Sequence, residues 1–190
     1  MKVLLVIFVV FAALALPAAS AQKQQSSNRI DKDGRAAVMI QLSTNSFTSG
    51  GAIPKKFTCS GADVSPELSW AAPPAGAESV ALIVDDPDAP VGTWNHWLLY
   101  NLPLSVHELP ENQPRTADLA SGALQGKNDF GKIGYNGPCP PPGKPHRYFF
   151  RLYALDTKLD LKSGADRHTL DQALKGHILA KTELMGTFGR

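Results

Sequence analysis

One stretch, Val84 to Leu99 (V-D-D-P-D-A-P-V-G-T-W-N-H-W-L-L), restricts the fold more than any other part of the chain. An apolar run, Ser79 to Val84, leads into it, and a second, His96 to Leu102, leads away. Proline holds φ at about −65° and biases the residue before it towards extended geometry, so D-P-D-A-P forms a stiff, non-helical corner. Asp86 and Asp88 lie two apart, which in an extended segment places both carboxylates on one side. His96 opens the returning strand between Trp94 and Trp97. Polar groups held on a rigid corner beside aromatic rings suit a small-ligand pocket. The competing reading is a surface hairpin whose aspartates cap turns.

The rest of the chain reads as short strands and turns. Ala37 to Leu42 and Leu68-Ser69-Trp70 are strand candidates, separated by a turn-rich segment that includes Phe57-Thr58-Cys59. Ser79 to Val84 is continuous, apolar and rich in β-branched residues, as expected of a central strand buried on both faces. Arg147 to Leu155 (R-Y-F-F-R-L-Y-A-L) alternates, with Tyr148, Phe150 and Leu152 on one face and Phe149, Arg151 and Tyr153 on the other. Pro103 to Asn128 shows no periodicity. One helix is signed, by the capping-box pattern Thr169-x-x-Gln172 and by Leu170, Ala173, Leu174 and Ile178 at helical spacing. These signals predict a mainly-β sandwich with few, short, peripheral helices.

Met1 to Ala21 stands apart. Lys2, an apolar run from Val3 to Leu16, then Pro17 and Ala19-Ser20-Ala21 have the form of a cleaved export signal, too short for a comfortable membrane span. It contains no cysteine for lipidation. Residues 22–36 read as a flexible mature N-terminus and 37–190 as a single domain, in a periplasmic or secreted protein with no membrane span after cleavage. The formal charge is +2 for the 190 residues, and removal of Lys2 with the leader leaves it near neutral, which gives no footing for nucleic acid. Two cysteines remain, Cys59 and Cys139. In an exported chain they can pair, stabilising by about 4 kcal/mol in the chain-entropy picture, or stay as separate buried thiols.

A second rich stretch is Gly134 to Phe150 (G-Y-N-G-P-C-P-P-P-G-K-P-H-R-Y-F-F). Four prolines between 138 and 142 stiffen it, and Gly137 and Gly143 allow a close backbone approach to a ligand. His146 and Tyr148, at i and i+2, share a face. Two histidines, a hydroxyl and backbone donors suit a phosphate or carboxylate group, with the aspartates orienting the imidazoles.

Taken together, D-P-D-A-P at 86 to 90, N-H-W at 95 to 97, G-P-C-P-P at 137 to 141 and H-R-Y at 146 to 148 resemble the phosphatidylethanolamine-binding protein family, in its bacterial Raf-kinase-inhibitor-like branch. F-T-C-S-G-A-D-V-S-P-E-L-S-W at 57 to 70, N-D-F-G-K-I-G-Y at 128 to 135 and L-K-G-H-I-L at 174 to 179 support it. The resemblance implies a β-sandwich with a small anion pocket lined by Asp86, Asp88, His96, Pro141, His146 and Tyr148. It implies phosphate, acetate or phospholipid head groups as ligands, no cofactor, no established enzymatic activity and, often, a homodimer. The connector Val91 to Trp94 is shorter than in eukaryotic members, and their longer C-terminal extension is lacking, so kinase regulation and lipid selectivity do not carry over.

Two rival functions use the same residues. A metal-assisted hydrolase would use Asp86, Asp88, His96 and His146 as ligands or acid–base groups. No G-x-S-x-G, H-E-x-x-H or C-x-x-C pattern accompanies them. Gly126 to Lys132 fits G-x-x-x-x-G-K, but Ile133 stands where a metal-binding hydroxyl is needed. The other rival is an inhibitor of kinases or proteases acting through its surface. Among the remaining histidines, His107 and His168 are expected in solvent, and His177 on the helix beside its apolar face, as a core histidine.

Overall fold

In the computed structural model, which describes residues 40–190, the chain forms β1 (Leu42–Ser43), a 3-10 turn (Lys55–Phe57), β2 (Leu68–Trp70), β3 (Ser79–Asp86) and β4 (Trp94–Leu102). It continues through β5 (Glu108–Leu109), β6 (Leu124–Gln125), β7 (His146–Leu155), α1 (Arg167–Leu174) and β8 (Ile178–Phe188). Two antiparallel sheets result, a small one ordered β1-β2-β5 and a large one ordered β6-β4-β3-β7-β8. The leader and flexible arm expected over 1–21 and 22–36 lie outside the described residues, as does the start of the strand expected from Ala37. β1 begins at Leu42.

β3 is buried at all eight positions because the large sheet is covered on both faces. Val80, Leu82 and Val84 join Trp97, Leu99, Phe150 and Leu152 in the core shared with Leu42, Leu68 and Trp70 of the small sheet. Ala81 and Ile83 pack the other way, with Leu98, Tyr100, Leu155 and the α1 residues Leu170 and Leu174. An unbroken apolar run is the sequence that such double burial demands. β7 alternates as read from its sequence, with Tyr148, Phe150 and Leu152 fully buried on the inner face.

The C-terminal region differs from expectation. Asp166 caps α1 by accepting from the Thr169 amide at 2.8 Å, so the capping pattern centred on Thr169 is one turn late. Gly176, with φ 81°, ends the helix in the left-handed conformation that glycine adopts without a Cβ penalty. Ile178 therefore opens an eleven-residue strand, β8, which pairs with β7 from His146↔Phe188 to Leu155↔Ile178. His177 is exposed, its Nδ1 2.8 Å from Asp156 Oδ1. His107 and His168 are exposed as expected. Among the described residues no helix is long and apolar enough to cross a membrane.

Cys59 and Cys139 are disulfide-bonded across 80 residues of sequence. The bond ties the segment after the 3-10 turn to the proline-rich loop, where the Cys59 amide also donates to the Pro138 carbonyl at 3.1 Å. Gly137 sits in this junction. A Cβ there would lie 2.1 Å from the Phe57 carbonyl oxygen, so its close backbone approach is to the protein and not to a ligand.

Candidate functional site

The corner after β3, the start of β4, the proline-rich loop and the start of β7 converge at one end of the large sheet. They enclose a cavity of about 300 Å³ lined by Asp86, Trp94, His96, Phe130, Pro141 and His146, with Pro90, Val91 and Pro140 at its margin. A larger hollow of about 440 Å³ lies beside Asp63 and Arg115. Its charged pair is closed on itself at 2.8 Å, and of the two rich stretches it draws only on Tyr135.

A β-bulge puts His96 in place. Val84 pairs with Trp97 but Asp85 pairs with Asn95, so β4 carries one extra residue, His96, opposite a single step of β3. Without the bulge, strict alternation would send His96 to the outer face with Leu98. Its ring instead packs edge-on against Tyr148 and Phe130, each with centroids 5.3 Å away. His96 is 2% exposed, and its Nδ1 lies 2.7 Å from the Asn136 carbonyl. A carbonyl only accepts, so Nδ1 carries the proton, and Nε2 of the neutral ring is an acceptor. Burial holds the His96 pKa below its ordinary value, which keeps the ring neutral.

The Asn136 carbonyl is itself held in place. Asn128 donates to Gly134 O and Asn136 Oδ1, both at 2.9 Å, and accepts from the Phe130 and Lys132 amides at 3.1 Å. Asp63 accepts from Asn136 Nδ2 at 3.1 Å and from the Gly137 amide at 2.6 Å. The G-x-x-x-x-G-K match thus lies on an asparagine-centred loop, in keeping with its dismissal as a phosphate cradle. A carbonyl, not an aspartate, orients His96.

His146 is oriented by a carboxylate. Asp86 Oδ2 lies 2.8 Å from His146 Nδ1, while Asp86 Oδ1 accepts from the Asp88 amide at 2.8 Å. That second bond closes a turn at Pro87, so the chain leaves its extended path and Asp88 departs from the side occupied by Asp86. Asp88 does not line the cavity. Its carboxylate accepts from the Arg147 amide and Nε, each at 2.9 Å, and from Nη2 at 2.7 Å. The Arg147 guanidinium holds the Asp88 pKa down to about 2.

Tyr148 stands behind His96 and not in the cavity wall. It is 0% exposed, and its hydroxyl has no hydrogen-bond partner among the described residues. Burial first, then the nearby Asp86 carboxylate, push its pKa far above the ordinary value, so it stays protonated. Of the six residues singled out, Asp86, His96, Pro141 and His146 meet at the cavity, Tyr148 supports it, and Asp88 is diverted to Arg147. Trp94 and Phe130 complete the wall, their rings edge-on at 5.5 Å. Phe130, Asn128 and Asn136 carry no individual signal in the sequence, although the N-D-F-G-K-I-G-Y and Y-N-G segments contain them. Trp97 and Trp70 are core residues.

Among the described residues no group of three or more histidine, cysteine or acidic side chains is arranged to hold a metal ion. With Asp88 bound to Arg147, the four-ligand set of the hydrolase reading is not assembled.

An end-on cavity with two histidines, closed by a rigid proline corner on a two-sheet antiparallel sandwich, defines the class. Residues 43–189 match the phosphatidylethanolamine-binding protein family model, and the chain belongs to that family. A UPF0098 protein of Methanothermobacter thermautotrophicus is 49% identical over 151 residues, covering 80% of this chain and 99% of the relative. Its Aquifex aeolicus counterpart is 44% identical over 154 residues, covering 80% and 90%. Among solved structures, a phosphatidylethanolamine-binding protein homolog of Chlamydia trachomatis superposes with a TM-score of 0.72 at 43% identity, covering 80% of this chain and 98% of that one. E. coli YbcL, described as a new member of the mammalian family, gives 0.75 at 35% identity with the same coverage.

Proposed function

We propose that this protein is an exported, non-enzymatic binding protein whose cavity takes a small anionic group, phosphate-bearing groups such as phospholipid head groups being the leading class. The observation that carries the reading is the pair of imidazoles. His96 and His146 are each fixed through Nδ1, by a carbonyl and a carboxylate, and among the described residues no hydrogen bond is made to Nε2 of either ring. Imidazoles locked through one nitrogen at a cavity are arranged to bind through the other. Apolar residues make up the rest of the wall, which suits a small polar group attached to an apolar body. The disulfide favours an oxidising compartment and so accords with export.

Calorimetric titration of the protein from Gln22 onward with phosphate and phosphoethanolamine tests this reading. Saturable binding is expected, and it should be abolished by His96→Ala with His146→Ala. Binding that survives the double substitution would place the ligand elsewhere. No binding in the wild type would favour surface-mediated kinase or protease inhibition.

A further inference from the structure

The cavity offers an anion no fixed positive charge. Its ionisable lining residues among the described chain are Asp86, His96 and His146, with no lysine or arginine. Of the cations at this end, Arg147 is held on Asp88, Arg190 donates from Nε to the Pro140 carbonyl at 2.6 Å, and the exposed Lys144 does not line the cavity. The groups that face His96 from other elements are Asp86 on β3, His146 and Tyr148 on β7, and Asp129 in the loop. Asp129 accepts from the Asn95 amide and Nδ2, each at 2.7 Å. Asp63 stands one residue removed, through Asn136. This environment is net acidic. His96 meets it with an acceptor, because its Nδ1 proton is committed to the Asn136 carbonyl.

A fully ionised oxyanion presents acceptors only and would face a lone pair at Nε2 and a carboxylate at Asp86. We propose that an oxyanion enters this cavity only together with one proton, held between His96 Nε2 and a ligand oxygen, so that the site selects singly protonated acids over their fully ionised forms. The inference rests on the anion-cavity reading above and names the ionisation state of the ligand. The proton arrives either on the ligand as an acidic O–H or from solvent onto Nε2. Both routes give the same composition, one bound anion and one extra proton.

The test is calorimetry of the purified protein with phosphoethanolamine, whose phosphomonoester carries one proton below about pH 6 and none above it, at acidic to alkaline pH, each in two buffers of different ionisation enthalpy. Uptake of about one proton per bound phosphomonoester is expected above about pH 6, with affinity falling about tenfold per pH unit there. Binding without proton uptake, and with flat affinity, would overturn the inference while leaving the anion cavity standing. Absence of binding at every pH would overturn the cavity reading itself. His96→Gln places a donor amide where the acceptor was, so its phosphoethanolamine binding should lose the pH dependence. Unchanged proton uptake in that variant would move the proton to another group and defeat the assignment to His96.

Discussion

Asp85 and Asp86 are consecutive in β3 and almost equally buried, at 1% and 3% exposure, yet their side chains leave the sheet by opposite faces and meet opposite environments. On the outer face Asp85 is paired with Arg151 and with Arg167 at 3.1 Å, and Arg167 also reaches Asn95 Oδ1 at 2.5 Å and Asp171 at 2.8 Å. Arg151 lies over the Phe149 ring at 4.6 Å. Within that cluster Asp85, Arg151 and Arg167 each find a complementary charge. On the inner face Asp86 meets one imidazole, and that ring, its neighbour His96 and the Tyr148 hydroxyl keep bonding capacity that the described residues do not use. The same strand end therefore builds a closed charge cluster on one side and an open polar site on the other. A buried charge satisfied internally belongs to the scaffold, whereas oriented groups left unsatisfied beside a cavity mark where a ligand goes.

Variants that separate the two faces put this contrast at risk. The largest effect belongs to the disulfide, which restrains the cavity wall at Cys139, Pro140 and Pro141. Cys59→Ser with Cys139→Ser should lower stability by about 4 kcal/mol in urea unfolding, and weaken phosphate binding as well. Asp85→Asn should cost about 3 kcal/mol, the low end for breaking a buried pair because its arginines are partly exposed. It should leave phosphate affinity unchanged, and a large loss of affinity would dissolve the distinction between the faces. His146→Ala should do the reverse. Its affinity loss should be tenfold or more, from one hydrogen bond to a charged ligand of about 1.5–3 kcal/mol, with a much smaller change in unfolding midpoint.

The smallest effect is expected at Asp88, whose pair with Arg147 is exposed to solvent. Its depressed pKa fixes the sign. The contribution is fully present above the unfolded carboxylate value of about 4 and is lost as pH falls through about 2. Asp88→Ala should flatten the acid limb of a stability–pH curve and change little near neutrality.

Much of this architecture is legible in the sequence where one periodicity dominates. β3 announced itself by an apolar run, β7 by its alternation, and the two motif-rich stretches do meet. β8 did not, because Ala180-Lys181-Thr182-Glu183-Leu184-Met185 is made mostly of good helix formers and its strand state is imposed by pairing with β7. The bulge at His96 leaves no local signal, since it depends on the register between two strands. Asp88 misled because spacing two apart implies a shared side only while the backbone stays extended, and the Asx turn at Pro87 ends that. The Asn136 carbonyl that orients His96 is a backbone group of a loop 40 residues away, which no residue-type pattern can reveal.

The five histidines supply the most direct test of the open inner face. Nitrogen-15 ring spectra of the protein, recorded before and after phosphate is added, report the tautomer and the occupancy of each ring separately. The account predicts an Nδ1–H tautomer for His96, a protonated Nδ1 in His146, and phosphate-dependent shifts of Nε2 in those two rings alone, with His107, His168 and His177 unmoved. Shifts confined to the three exposed histidines, or a His96 ring with its proton on Nε2, would contradict it.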